Sequence, residues 1–396
     1  MQDVDLIHVC YGGLGGHVSV VNTLTSELAT VGISSGVVAV GAESALVRSM
    51  DSWPNLAFAE FVPVTRRADL ASMWTAMKVA RKVRSRVVVM HTLRHTTPIA
   101  LGRITTGQRL RIVTRESHGL PSRNWIVDVQ SASSIMWGQA VIFLTRENMA
   151  GYPLRRLPLR GLRRQVVIPN GVDTARFVRR SRAARALGAP VVLGMAARFV
   201  PGKDFDTLVR GLAILHAEHG PDCPQLLLAG DGPSRAGTHA LVERLGLRDH
   251  VRFLGHLPET QMPDFMDGLD IYVQLTDGEA FSMSLIQACA SGLPVITSDV
   301  PGVRDVFVDG DTALLVEPRR PEAVADALRA LLAPASDLAA DVAARAHRMV
   351  VDRYSSAHMA RAYLQLFAQL DGDGPWSAAL AALVGRDPGD EPVAHS

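Results

Sequence analysis

Thr276-Asp-Gly-Glu279-Ala-Phe281-Ser282-Met283-Ser-Leu-Ile-Gln287-Ala-Cys-Ala-Ser-Gly292-Leu-Pro-Val-Ile-Thr-Ser-Asp299-Val-Pro-Gly302 is the stretch whose reading decides the fold. Ahead of it, Leu269–Gln274 reads as a short buried strand. Ser282–Ser291 holds mostly good helix formers, Gly292 stops that helix, and Pro294–Ser298 begins another apolar strand. Strand, polar loop, helix and strand make a βαβ crossover. The loop therefore lies at the carboxyl end of a strand, where open α/β sheets bind ligands. The first N–H groups of the helix have no intrahelical partners and form a site for an anion such as a phosphate.

The same alternation runs outward in both directions. Val4–Cys10 is an apolar run ending in Tyr11-Gly-Gly-Leu-Gly15-Gly16, followed by the helix-like His17–Thr30. The glycines let a ligand approach the backbone, but the third position of a G-x-G-x-x-G fingerprint falls on Val18. Apolar runs follow at Gly36–Val40, Arg86–His91, Arg111–Thr114 and Ala140–Leu144, with helix-like segments near 68–85 and 121–137. His91 and His118 both fall at strand ends. Val166-Val-Ile-Pro-Asn170-Gly171-Val-Asp173 closes the first half. The second half restarts with strands at Pro190–Ala196, Gln225–Ala229 and Val251–Leu254, and helices at Asp204–His219 and Ser234–Leu245. Helices are also expected at 321–333, 336–352 and 357–369. Parallel sheets covered by helices are the expected architecture.

At 396 residues the chain is too long for one ordinary core. The expected boundaries are 1–172, 173–355, a helix at 356–370 returning to the first domain, and a loose, Gly/Pro-rich tail at 371–396. No apolar run suits a membrane span, and the acidic start, Asp3 and Asp5, does not suit a signal peptide. Cys10, Cys223 and Cys289 are too widely spaced for a disulfide framework or a zinc pattern, which fits a reducing cytoplasm. Net charge of +2 hides an asymmetry. Residues 1–172 carry 20 Lys/Arg against 10 Asp/Glu, and residues 173–396 carry 21 against 29. The first half, including Leu154–Arg164 with its interleaved Arg and Leu, suits an anionic membrane surface or a phosphate-bearing acceptor. No nucleic-acid recognition motif accompanies that charge.

Arg198-Phe-Val-Pro-Gly-Lys203-Asp follows a strand and precedes a helix. Its two cations can converge on one diphosphate across the Pro-Gly turn. Asp204 stands where a Walker A loop needs Ser or Thr. Lys203 is one of three lysines among 38 arginines. Asp3-Val-Asp5 and Asp309-Gly-Asp311 have the spacing of metal-dependent transferases, but lie in an opening strand and in a turn of the wrong domain, so no metal is expected.

Taken together, the chain resembles the retaining glycosyltransferases of the GT-B fold, glycosyltransferase family 4. The resemblance is carried by Gly12–Gly16, His118, Pro169–Asp173, Arg198–Lys203, Gly230–Pro233, Phe253–Pro258 and Glu279–Pro294. It implies two Rossmann-like, doubly wound α/β domains facing a cleft, the first for acceptor and the second for donor. The donor would be a nucleotide-diphosphate sugar, a UDP-sugar first among the candidates, serving as co-substrate without a further cofactor. The acceptor would be a hydroxyl of a polysaccharide, a lipid-linked intermediate or a natural product. Glu279, His118, Arg198 and Lys203 would be catalytic. Gly15, Gly16, His256, Leu257, Phe281, Ser282, Met283 and Gln287 would bind substrate. Ser282 replaces the family's Gly, and Gln287 replaces the Glu that accepts hydrogen bonds from the ribose. A nucleotide-sugar epimerase of the same fold and a non-catalytic nucleotide-sugar binding protein stay open as alternatives.

Overall fold

The computed structural model describes residues 3–11, 16–41, 50, 53, 56–63, 84–91, 110–116, 137–151, 164–178, 190–334 and 336–385. The helices expected near 68–85 and 121–137 fall almost wholly outside these residues; Arg84 and Ser85 open a strand instead. The chain divides into two compact units, Met1–Gly171 with Ser356–Ser396, and Val172–Ser355. The expected boundary moves by one residue, because the Val172 N–H is bonded to the Tyr354 carbonyl at 2.9 Å and Val172 bridges to Ser355.

In the first unit the described strands are β1 (Asp3–Tyr11), β2 (Ser35–Gly41), β3 (Leu56–Pro63), β4 (Arg84–Met90), β5 (Arg111–Glu116), β6 (Ala140–Phe143) and β7 (Arg164–Val167). They pair in parallel in the order β3-β2-β1-β4-β5-β6-β7. A parallel sheet is buried on both faces, so its strands read as continuous apolar runs. Val9, Val38, Val88 and Ile112 fill one face, while Cys10, Val37, Ala39 and Met50 fill the other. Helix α1 (Gly16–Thr30) follows β1, and α2 (Arg146–Gly151) follows β6. Leu56–Pro63 was not anticipated from its sequence. It is one of the sheet's two outer strands, and Glu60 within it breaks the apolar pattern.

The second unit repeats the plan. Its strands are β8 (Val192–Ala196), β9 (Gln225–Ala229), β10 (Val251–Gly255), β11 (Ile271–Gln274), β12 (Val295–Ser298) and β13 (Leu314–Val316). They form a parallel sheet in the order β10-β9-β8-β11-β12-β13. The helices are α3 (Phe205–His219), α4 (Arg235–Arg244), α5 (Met262–Asp267), α6 (Met283–Ala290), α7 (Pro301–Arg304), α8 (Pro321–Leu332) and α9 (Leu338–Arg353). In α3, Asp204 caps the start by accepting from the Thr207 N–H at 3.1 Å, and Gly220 ends it at φ 56°. Between them Phe205, Leu208, Val209, Leu212 and Leu215 are buried at helical spacing against Met195, Leu228 and Val273. Burial of each such side chain contributes roughly 1.5–3 kcal/mol.

Two helices end the described chain and belong to the first unit, α10 (Ser356–Leu370) and α11 (Trp376–Val384). Ser356 Oγ donates to Glu27 on α1. The expectation of a loose tail from 371 is corrected by α11. Trp376 is fully buried, its ring lies 5.0 Å from that of Phe367, and its Nε1 donates to Asp371 at 3.2 Å. The flanking Asp, Gly and Pro residues suggest a linker, but Trp376, Ala379 and Leu383 form one buried stripe between them. Residues 386–396 lie outside the described set. No helix among the described residues is long and apolar enough to cross a membrane.

Candidate functional site

Strand order reverses direction at the β8/β11 pair in the second unit. That topological switch is where an open α/β sheet leaves a crevice beyond its carboxyl ends. The loops leaving these two strands are Ala197–Asp204 and Leu275–Ser282, so the sequence's two most suggestive motifs meet there. The Asp204 N–H donates to the Leu275 carbonyl at 3.0 Å, and Thr276 Oγ1 donates to the Gly202 carbonyl at 2.8 Å. Lys203 Nζ then forms an ion pair with Glu279 Oε2, and the two side chains are only 20 % and 17 % exposed.

The turn that presents Lys203 is anchored from below. Phe199 is buried and stacks on Phe205 with ring centroids 3.8 Å apart. Gly230, at φ 130°, lies against this turn so closely that a Cβ there would sit 1.9 Å from the Ala197 carbonyl oxygen. Arg198, at the turn's start, is exposed and makes no ion pair among the described residues. It flanks the crevice without joining the Lys203–Glu279 pair.

Helix α6 opens onto the same crevice. Ser282 is its N-cap, and its hydroxyl accepts from the Leu285 N–H at 3.4 Å. Met283 is half-buried in the first turn. Phe281 is buried with its ring 5.7 Å from Tyr354, so its side chain anchors the loop. Below the helix start lies a polar network that sequence reading missed. Tyr272 Oη and Ser284 Oγ both donate to Gln274 Oε1 at 2.9 Å, and Tyr272 Oη also meets the Ala196 backbone at 3.2 Å. Burial holds the Tyr272 phenol above its ordinary range, so it stays a neutral donor. The network ties the ends of β8 and β11 to α6. Gly302 completes the seat, since a Cβ there would meet the Glu279 carbonyl oxygen at 1.9 Å.

Gln287, one to two turns into α6, is 3 % exposed, and its Nε2 donates to Glu259 Oε1 at 3.0 Å. Arg176 reaches the same group, with Nη1 3.8 Å from Glu259 Oε1 and Nη2 donating to the Glu259 carbonyl. Glu259 and Arg176 have no local signature in the sequence. Their place follows from β10 and the chain after β7 converging on α6. His256 is exposed and Leu257 half-buried just after β10, at the carboxyl end of that strand.

A cavity of about 530 Å³ opens beside the Lys203 turn, lined by Asp204, Asp206, Arg210, Asp277 and Arg319 among others. Arg319 clamps Asp277 with two bonds, at 2.9 and 2.6 Å. Lys203, Arg210 and Arg319 face Asp204, Asp206 and Asp277 there, and this mixed charge makes the cavity a poor anion pocket.

In the first unit, Gly16 is the first residue of α1, while Gly15, His118 and the Arg155–Arg163 stretch lie outside the described residues. His91 is buried at the end of β4. His8 Nδ1 lies 3.0 Å from its Nε2, and Arg115 Nη1 lies 3.5 Å from its Nδ1. Arg115 also donates to Asn170 Oδ1. These contacts make His91 part of a buried packing network.

Residues 179–349 match the protein family described as glycosyl transferases group 1. That stretch lies within the second unit, and includes Arg198, Lys203, Glu259, Glu279 and Gln287. The chain is 33 % identical to the lipopolysaccharide core biosynthesis glycosyltransferase LpsE of Rhizobium meliloti over 211 residues, 52 % of this chain and 59 % of that protein. It is 30 % identical to the D-inositol 3-phosphate glycosyltransferase of Corynebacterium urealyticum over 212 residues, 50 % of this chain and 47 % of that one. The matched chain thus spans about half the length of these curated relatives. Among solved structures, Anabaena Alr3699/HepE in complex with UDP and glucose superposes with a TM-score of 0.78, at 16 % identity over 92 % of this chain and 99 % of that one. The fold is therefore the pair of Rossmann-like α/β units found in GT-B glycosyltransferases.

Proposed function

We propose that the chain is a retaining glycosyltransferase of family 4 that moves a sugar from a nucleotide-diphosphate sugar to an acceptor hydroxyl. The observation that carries this reading is the meeting of Lys203, Glu279 and the α6 start at the β8/β11 switch point. A diphosphate seated there would face the Lys203 ammonium, the unpaired N–H groups of α6 and the nearby Arg198. Those groups stabilise the charge that develops as the bond from the anomeric carbon to the diphosphate oxygen breaks. The acceptor oxygen attacks from the same face, and its proton passes to the departing phosphate oxygen. No protein base is required. Glu279, held by Lys203, orients the donor sugar's hydroxyls and favours positive charge at the anomeric carbon.

The donor belongs to the second unit, with a UDP-sugar the first candidate; the UDP held by the HepE structure supports that choice. The acceptor belongs to the first unit, whose excess of 10 basic charges over residues 1–172 suits a phosphate- or lipid-linked hydroxyl at the inner face of an anionic membrane. One relative is named for lipopolysaccharide core biosynthesis and another for D-inositol 3-phosphate, which supports the same class. Transfer proceeds without a divalent ion, because two cations and a helix start already face the diphosphate.

Incubation with labelled UDP-, GDP-, ADP- and dTDP-sugars, with and without phosphate-bearing acceptors and with excess EDTA, tests this reading. The expected product is a glycoside that keeps the donor's anomeric configuration, formed only with acceptor and undiminished by EDTA. Donor isomerisation without acceptor would make the protein an epimerase. Binding without any product would make it a non-catalytic nucleotide-sugar binding protein. Loss of transfer in EDTA, restored by magnesium or manganese, would refute the metal-free step.

A further inference from the structure

We propose that His216, Cys223 and His250 form a structural zinc site in the second unit. One ligand atom from each lies within 4.8 Å of the other two. Cys223 and His250 are buried and His216 is half-buried, and the two imidazole rings pack with centroids 4.7 Å apart. In a tetrahedral zinc site, nitrogen and sulfur ligands lie roughly 3.3–3.6 Å from one another. To reach that spacing the ligand atoms must close by up to about 1.5 Å.

The surroundings of His216 suit an ion. His216 Nδ1 lies 2.9 Å from the Gly220 carbonyl, which can only accept, so Nδ1 carries the proton and Nε2 keeps a lone pair. His250 Nδ1 lies 3.3 Å from Gln225 Nε2. As placed, that amide donates to Nδ1; zinc binding through Nε2 requires the amide to turn over, so that its oxygen accepts from Nδ1–H. Hydrogen bonds of this outer kind orient the histidines of metal sites. Cys223 Sγ has a weak contact with the Leu212 carbonyl at 3.8 Å, and ion binding would replace its proton with the metal. Two imidazoles with one thiolate favour zinc over magnesium or calcium.

The position assigns a structural role. Cys223 and His250 precede β9 and β10, and His216 ends α3, so the cluster sits at the amino-terminal edge of a parallel sheet. Lys203 and Glu279 stand at the carboxyl-terminal edge. An ion here would staple three segments that meet only in the folded unit, without touching the transfer site. The wide spacing in sequence explains why no short ligand motif announces it. This inference does not depend on the proposed enzymatic activity.

Full-length protein stripped of metal by chelation and titrated with zinc and with cobalt(II) tests the site. The expected result is one zinc ion per chain retained through gel filtration, a thiolate-to-cobalt charge-transfer band, and a zinc-dependent rise in Tm. Cys223→Ser should abolish the band and weaken zinc binding by at least about tenfold, and His216→Gln should weaken binding similarly. His219→Gln, on the exposed neighbouring histidine, should leave both intact. If Cys223→Ser does not fold, His216→Gln decides alone. Absence of stoichiometric zinc in the wild type, or unchanged affinity in His216→Gln, would overturn the proposal.

Discussion

Gln287 donates its side-chain amide to the Glu259 carboxylate at 3.0 Å, so the position where family 4 transferases carry a Glu already faces one here. An amide and a carboxylate are complementary, whereas two carboxylates at that distance cannot both ionise cheaply. Gln287→Glu should therefore harm this protein. The expected loss is about 1–3 kcal/mol of stability or donor affinity at neutral pH. The paired change Gln287→Glu with Glu259→Gln re-creates one amide and one carboxylate and should recover most of it. Melting curves and donor Kd for the two single variants and the double variant form the cycle. Additive effects would mean that the two side chains do not act as a pair.

Lys203 and Arg198 should separate by stability as well as by rate. Both variants to Ala should slow transfer by about tenfold or more, or at least 1.4 kcal/mol of transition-state stabilisation. Only Lys203→Ala leaves a partly buried carboxylate, Glu279, without its cation, so only it should also lower Tm. Equal turnover for wild type and Lys203→Ala would remove the diphosphate role.

His8 makes the first unit sensitive to acid. Burial, and then the nearby charge of Arg115, pull it from 6.5 down to about 3. Its Nε2 has no hydrogen-bond partner among the described residues, so a proton there finds no acceptor. Between those two values the unfolded chain binds a proton that the folded chain refuses. Stability from this group is therefore full above pH 6.5 and falls by roughly 1.4 kcal/mol per pH unit as pH drops toward 3. His8→Asn keeps a polar partner for His91 and should flatten that slope, as read from urea unfolding across the range. An unchanged slope would place the acid sensitivity elsewhere.

Trp376 anchors α11 on α10. Trp376→Ala removes the largest fully buried side chain among the described residues and should cost about 3–5 kcal/mol. Truncation after Asp371 should destabilise the first unit by a comparable amount. Unfolding curves of either variant that match the wild type would restore the reading of a loose tail.

The strand-helix alternation was legible because parallel strands buried on both faces are short apolar runs, and Gly and Pro mark where they stop. Glycine and proline at 292 and 294, for instance, bracket the passage from α6 to β12 without any knowledge of the tertiary fold. Edge and polar-interrupted elements such as β3 and β13, and the buried stripe of α11, lacked that contrast. Motif positions were legible too, since Lys203 and Glu279 each sit in a loop after an apolar run. What only the tertiary structure decided is which side chains meet. Lys203 finds Glu279 because β8 and β11 are neighbours across the reversal of strand order. Gln287 finds Glu259, and His216 finds Cys223 and His250, through packing between segments that local sequence does not relate. A hydrogen bond or ion pair depends on distances of a few ångströms, and those are set by how whole strands and helices pack.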